Sequence, residues 1–426
     1  MSKTVMPPWL EQGLGHIWLP YTQMQTTPPP LPVVASRGVR LRLADGRELI
    51  DGIASWWTAA HGYNHPHILA EMADQMQRLP HVMFGGLAHE PACRLASRLA
   101  TLLPGDLNHV FFAESGSVSV EVAVKMAVQY WLNRGERRPQ LVHFRHGYHG
   151  DTIGTMALCD PEEGMHSAFR GLLPRHLLAD LPETAEAVEQ LDAHLAAHPV
   201  AAMIVEPLVQ GAGGMKLHTP AVLQTLRRLA DKHEILLIFD EIFTGFGRTG
   251  SLFACERAGV VPDIVTLSKA LTGGVAPLSA AIARTPVFEA FLDRDPEKAL
   301  MHGPTYMAHA LGCAAANASL DLFEREDRLA DVARLQAGLE AGLAPARALP
   351  GVIDVRVLGG IGAVELQRLD RIDHLKAAFV ERGVWIRPFG RIVYLTPPLI
   401  IEPEDLTRLT TALVDGLAAH LAAQAA

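Results

Sequence analysis

The sequence predicts an α/β protein, with a mostly parallel sheet between layers of helices and a smaller α/β unit after it. Three observations predict it. Short apolar runs alternate with helical patterns through the middle of the chain, as strands joined by crossover helices do. The pattern then changes after a long helical stretch near residues 307–343. Finally, 426 residues are too many for one simple core.

The first 60 residues read as irregular, with an extended "TPPPLP" at 27–32. In "RGVRLRLADGRELIDG" the Asp45-Gly46 pair suits a turn between two strands. Strands are then expected at "HVFFAE" (109–114), "LVHFRH" (141–146), "AAMIVEP" (201–207), "ILLIFDE" (235–241), "DIVTLSK" (263–269) and "LSAAIA" (278–283). Helices fall between them, at 118–133 and 220–233 among others, the second with Thr219 as N-cap and Pro220 as its first residue. "VIDVRVLGGIGAVEL", "VWIRPFGRIVYLTPP" and a helix from about 403 make the smaller unit. The division expected is an N-terminal segment 1–60 packing with the small domain, a large domain 61–325 and a small domain 326–426. No internal repeat or low-complexity tract interrupts it.

Bulk properties narrow the function. A formal net charge of −9, with no lysine and arginine cluster to offset it, argues against a nucleic-acid surface. No apolar run has the length of a signal peptide core or a bilayer span, so a cytoplasmic location is expected. Cys93, Cys159, Cys255 and Cys313 form no C-x-x-C pair and read as reduced thiols. His146 and His149 in "FRHGYHGDT" lack an obvious third ligand nearby, so no metal centre is expected.

Open α/β sheets bind ligands at the carboxyl ends of their strands, and three features fall there. "FFAESGSVSVEVAVKMA" is strand, Ser-Gly-Ser turn and helix, whose free N–H groups at Gly116 and Ser117 suit a phosphate. "LLIFDEIFTGFGRTG" ends an apolar strand on Asp240, an expensive carboxylate unless it meets a cation or donors. "DIVTLSKALTGG" ends the next strand near Lys269, and lysine is almost never fully buried unless paired. Each alone has a bland reading: a tight turn, a capping aspartate, a lysine reaching for solvent at a sheet rim. Together they suit pyridoxal 5'-phosphate (PLP). Its phosphate takes the helix N-terminus, its pyridine nitrogen Asp240, and its aldehyde the amine of Lys269.

The block "DEIFTGFGRTG…PDIVTLSKALTGG" resembles the class III aminotransferases, and the likeness runs nearly the whole length of the chain. It implies the architecture of a fold-type I PLP-dependent transferase, with a mostly parallel, seven-stranded-type sheet in the large domain. "WLPYTQM", "DGIASWWTAAHGYNHP", "HVMFGG", "GYHGDT", "MHGPTYM" and "GVWIRPFG" narrow the likeness. They point to the branch that passes the amino group of S-adenosylmethionine to 8-amino-7-oxononanoate in biotin biosynthesis.

The resemblance also implies roles. Lys269 holds PLP and shuttles the proton, with Tyr21 counted beside it in the catalytic set. Asp240 bonds the pyridine nitrogen and Tyr148 stacks on the ring. Gly116 and Ser117 hold the phosphate, which Pro304 and Thr305 reach from the partner subunit of a homodimer. Tyr21, Trp56, Gly303 and Arg387 line the substrate pocket, and Arg248 contacts the amino donor. Two substrates then use one site in turn, a long aliphatic acceptor lying along Trp56 and Tyr21 with its carboxylate on Arg387. In one place the chain departs from the family: after "HGPTYM" it reads "AHALGCAAA", where Gly-Asn-Pro is more usual. Rival readings are an ornithine, 4-aminobutyrate or β-alanine aminotransferase, a lysine-using version of the same reaction, a PLP aminomutase and a non-catalytic cofactor-binding regulator.

Overall fold

The computed structural model describes residues 6–162 and 166–425. The chain divides into two compact units. One comprises Met1–Trp56, Ala60–His65 and Ala333–Ala426, the other Trp57–Ala59 and Pro66–Val332.

The smaller unit opens with a helix, Pro8–Leu14, inside the stretch expected to be irregular. Three short strands follow, β1 (Val33–Arg37), β2 (Arg40–Leu43) and β3 (Glu48–Asp51), paired antiparallel in sequence order. The turn between β2 and β3 is the expected one. Gly46 takes φ 89° and the Asp45 carboxylate accepts the Arg47 N–H at 3.1 Å.

The larger unit is built on seven strands: β4 (Leu107–Ala113), β5 (Gln140–Phe144), β6 (Leu177–Ala179), β7 (Val200–Val205), β10 (Leu236–Asp240), β11 (Ile264–Leu267) and β12 (Ser279–Arg284). Their order is β4-β12-β11-β10-β7-β5-β6. A two-stranded ladder, β8 (Val209–Gln210) with β9 (Lys216–Leu217), stands apart. β7, β10 and β11 are buried along their whole length, as strands covered on both faces must be. The helix Gly116–Asn133 lays Val120, Ala123 and Ala127 into the same core as Ile204, Ile238 and Ile264.

In this sheet one strand, β6, escaped the sequence pattern, and another, β12, runs in an unexpected direction. β6 has only three residues, too few to show a period. β12 was expected as a strand, but it runs antiparallel to both neighbours. Its link from β11 is a short 3₁₀ turn, Lys269–Thr272, closed by Gly273 and Gly274 at φ 62° and 84°. That is too short for a parallel crossover, which takes a dozen residues or more. Because β12 reverses twice over, β4 still points the same way as β11. The carboxyl ends of β4, β5, β7, β10 and β11 therefore share one edge.

The expected helix at 220–233 is present as Pro220–Lys232 with Pro220 at its start, but the Thr219 side chain makes no capping bond. The helical stretch near 307–343 is two helices, Ala310–Arg325 and Arg328–Leu343. They part at Glu326, whose backbone is extended, and the Arg328 guanidinium at the start of the second helix donates to the Glu326 carboxylate across the break. The smaller unit then resumes with β13 (Val352–Leu358), β14 (Ile361–Leu366), β15 (Val384–Trp385) and β16 (Ile392–Leu395). β13, β14 and β16 form an antiparallel sheet, while β15 adds parallel to β3. A closing helix spans Pro403–Ala425. No helix among the described residues is long and apolar enough to cross a membrane.

Candidate active site

At the shared edge of the large sheet lies a cavity of about 160 Å³. Its wall includes Gly116, Ser117, Tyr148, Asp240 and Lys269, five residues the sequence singled out, with Trp57, His149 and Glu206.

The first wall is the turn after β4. Ser115 caps the helix Gly116–Asn133 and accepts the Val118 N–H at 3.4 Å, leaving the N–H groups of the first turn directed outward. Two glycines here face close approaches, tight at Gly116 and prohibitive at Gly150. A Cβ on Gly116 would lie 3.0 Å from Ile242 Cδ1, and one on Gly150 would lie 2.1 Å from Ser117 Oγ. Ser117 Oγ also accepts the Asp151 N–H at 3.1 Å, tying this turn to the segment after β5.

The second wall is a set of buried acids with one imidazole. Asp240 Oδ1 accepts the Ile242 N–H and the Thr266 hydroxyl, each at 3.2 Å. Its Oδ2 lies 2.8 Å from His149 Nδ1. Glu206, directly after β7, accepts the Tyr148 N–H at 3.0 Å and the Gly211 N–H at 3.0 Å. Burial pushes its carboxyl up to about 7, against the pull of His149. The Tyr148 hydroxyl in turn donates to Asp151 at 2.8 Å. His149, Asp151 and Glu206 were not anticipated as partners of the site. Each sits past the end of β5 or β7, but which strand ends stand side by side is set by the strand order.

Lys269 closes the cavity. It has φ 49°, in the left-handed region, two residues past β11. Its ammonium lies 4.5 Å from the centre of the Trp57 ring, and Trp57 packs on Phe243 with ring centres 4.2 Å apart. Desolvation pushes the amine down to about 8, though Asp240, Glu206 and Asp151 pull it back up.

Three further predicted residues meet in the smaller unit. The Arg387 guanidinium lies 4.7 Å from the centre of the Trp56 ring, and Tyr21 meets Trp56 edge-on at 6.1 Å. Trp56 and Arg387 border a cavity of about 800 Å³ walled by Leu19, Pro28 and Trp385. Trp56 belongs to an unusual backbone. Ala54, Ser55, Trp56 and Trp57 all have positive φ, at 47°, 47°, 56° and 76°. A left-handed conformation costs about 1–2 kcal/mol for each non-glycine residue.

The remaining predicted residues lie elsewhere. Gly303 and Thr305 are exposed, and with Pro304 they stand outside the wall of the Lys269 cavity. Arg248 is 2 % exposed and also outside that wall, its guanidinium pushed down to about 10 by loss of water. Where the chain reads "AHALGCAAA", Ala308 takes φ 54° and the next helix starts at Ala310 without a side-chain cap.

The sequence profile described as "Aminotransferase class-III" matches residues 21–417. The chain belongs to the class-III aminotransferases. This aminotransferase is 46% identical over 413 residues to the adenosylmethionine-8-amino-7-oxononanoate aminotransferase of Mycobacterium leprae, across 94% of each chain. Its fold matches the crystal structure of the adenosylmethionine-8-amino-7-oxononanoate aminotransferase from Methanocaldococcus jannaschii with TM-score 0.92. That match is at 29% identity and covers 97% of this chain and 99% of the other. An amine transaminase from an uncultivated Pseudomonas species, solved in its PLP-bound form, matches with TM-score 0.89. It is 31% identical, covering 95% of this chain and 99% of its own.

The aminotransferase is PLP-dependent, and its cavity suits the group. Helix N–H groups and a glycine-lined approach stand where a phosphate needs them. A buried carboxylate backed by His149 stands where a protonated pyridine needs it. An amine with lowered basicity lines the same cavity.

Proposed function

We propose that this aminotransferase transfers the amino group of S-adenosylmethionine to 8-amino-7-oxononanoate, giving 7,8-diaminononanoate in biotin biosynthesis. The observation that carries this reading is the likeness to the M. leprae relative of that name over 94% of the chain. The Tyr21–Trp56–Arg387 constellation supports it. A long aliphatic acceptor gains affinity along aromatic faces, and its carboxylate gains a fixed orientation from a planar guanidinium.

Within this reading Gly116 and Ser117 hold the phosphate of PLP, and Tyr148 stacks on its ring. Asp240, with His149 behind it, holds the pyridine nitrogen protonated. PLP, when bound, supplies the electron sink that makes the donor's α-proton removable. Lys269 takes that proton and returns it. With its pKa lowered to about 8, about a tenth of the amine is neutral at pH 7, whereas an ordinary lysine near 10.4 would be almost wholly protonated. Tyr21, Trp56, Gly303 and Arg387 recognise the acceptor, and Arg248 contacts the amino donor.

The enzyme works as a homodimer in which Pro304 and Thr305 complete the phosphate site of the partner subunit. Their position outside their own subunit's cavity supports this. Sedimentation should give a two-fold dimer at assay concentration, and an active, PLP-saturated monomer would rule it out. The cytoplasm is its compartment, a reading supported by four cysteines that form no disulfide.

A half-reaction screen tests the substrates. The yellow enzyme is mixed with S-adenosylmethionine, lysine, ornithine or alanine, and then with 8-amino-7-oxononanoate. Bleaching by S-adenosylmethionine and return of colour with the acceptor are expected. Bleaching by ornithine or lysine in its place would overturn the donor assignment.

A further inference from the structure

The left-handed turn at Ala54–Trp57 contains no glycine to ease it, so something must hold it in place. Asp51 is the holder. It is wholly buried at the end of β3. Its Oδ1 accepts the Ile53 N–H at 2.8 Å, and its Oδ2 accepts the Ser55 N–H at 2.9 Å and the Tyr63 hydroxyl. The Tyr63 hydroxyl also meets Ser55 Oγ. Tyr63 is itself anchored, by a bridge in which its N–H donates to Gly38 O at 2.7 Å and its carbonyl accepts the Gly38 N–H at 3.1 Å.

The same residue also lies opposite the strand that leads to Arg387. Asp51 pairs with Trp385 across β3 and β15, and the Gly52 N–H donates to Trp385 O at 2.9 Å. One buried carboxylate thus stands at the root of two segments. One presents Trp56 and the other presents Arg387, and the two side chains meet at 4.7 Å.

We propose that Asp51 and Tyr63 are positioning residues that set acceptor specificity by holding the Trp56 ring against Arg387. This rests on the reading above that Arg387 receives the acceptor's carboxylate. Neither Asp51 nor Tyr63 need touch substrate. Their part is to keep Trp56 where it fixes the guanidinium plane, so that both N–H groups face one carboxylate.

The test uses the PLP-loaded enzyme and Tyr63→Phe, which removes one hydroxyl and keeps the ring. Asp51→Asn is the stronger variant, and Tyr63→Phe decides the matter should Asp51→Asn not fold. Each is made alone and with Arg387→Ala, and both half-reactions are followed by stopped flow. Tyr63→Phe is expected to raise KM for 8-amino-7-oxononanoate about tenfold, the scale of one lost hydrogen bond to a buried carboxylate. Its kcat and its bleaching by S-adenosylmethionine should change less than about two-fold. In the Arg387→Ala background Tyr63→Phe should add nothing to the acceptor KM, because its effect runs through Arg387. An unchanged acceptor KM, or a loss that multiplies with that of Arg387→Ala, overturns the positioning role and leaves the function standing. An Arg387→Ala enzyme with normal acceptor KM overturns the Arg387 assignment and this inference with it.

Discussion

Gly150→Ala tests the cofactor cradle at its tightest point. A Cβ at this position would lie 2.1 Å from Ser117 Oγ, 2.7 Å from Ser117 Cβ and 3.0 Å from its Cα. Rotating the serine hydroxyl away relieves only the first contact, so the backbone of the helix's first turn must shift. Gly150 also has φ 128°, a conformation that costs an alanine about 1–3 kcal/mol. Overpacking adds about another 1–3 kcal/mol. If about half of that total falls on the geometry that receives phosphate, PLP binds roughly ten- to a hundredfold more weakly, at about 1.4 kcal/mol per tenfold. Gly135→Ala is the control. Gly135 lies just past the far end of the same helix at φ 83°, with nothing within 4 Å of its missing Cβ. It should cost about 1–2 kcal/mol of stability and leave PLP affinity alone. The assay titrates PLP into cofactor-free enzyme and follows the yellow absorption, with thermal unfolding measured in parallel. If Gly150→Ala binds PLP as wild type does while losing no more stability than Gly135→Ala, the close approach to Ser117 has no bearing on the cofactor.

Other expectations follow from the same cavity. Lys269→Ala should abolish the covalently held, yellow cofactor and transamination while keeping the fold. Borohydride trapping of PLP on a different lysine in that variant would refute the assignment. In cofactor-free enzyme the Lys269 amine, lowered to about 8 by burial, must be neutral to attack the aldehyde. Reconstitution should therefore speed up about tenfold per pH unit up to about 8 and then level off. A rate still climbing toward about pH 10.4, where an ordinary lysine titrates, would show that burial does not act on this amine.

Much of this site was legible because it is chemically expensive. Asp240 at the end of "LLIFD" and Lys269 after "DIVTL" are charged groups delivered by apolar strands, and such groups need partners. Gly116 and Ser117 open a helix directly after a strand, which made that wall of the cavity readable as well. What stayed hidden depends on alignment across the sheet. His149 reaches Asp240 because β5 and β10 end at the same edge with β7 between them, and strand order is not written in any local pattern. The same holds for Glu206, whose worth to the site lies in what stands beside it. The left-handed turn was hidden for a different reason. Nothing in Ala-Ser-Trp-Trp favours positive φ, and the buried Asp51, accepting from Ile53, Ser55 and Tyr63 among others, helps make that backbone tolerable. β12 was readable as a strand but not in its direction, which follows from the shortness of the link that precedes it.

That short link also bears on how the chain reaches its fold. Pairing β11 with β12 closes only the stretch between Leu267 and Ser279, whereas β10 must wait for a connection from Val205 to Leu236 to be organised before it can lie beside β7. Closure entropy grows as (3/2)RT ln n, so the hairpin-like pair starts roughly 1 kcal/mol ahead, and it needs no crossover helix in place. During refolding the reactive lysine therefore sits in the loop of the sheet's most local pairing. Pulse-labelled hydrogen exchange should find amides of β11 and β12 protected before those shared by β5 and β7. A cofactor encountering a partly folded chain would then meet its proposed attachment point, Lys269, early, while the proposed phosphate cradle, which needs β4 brought in from far upstream, is completed late.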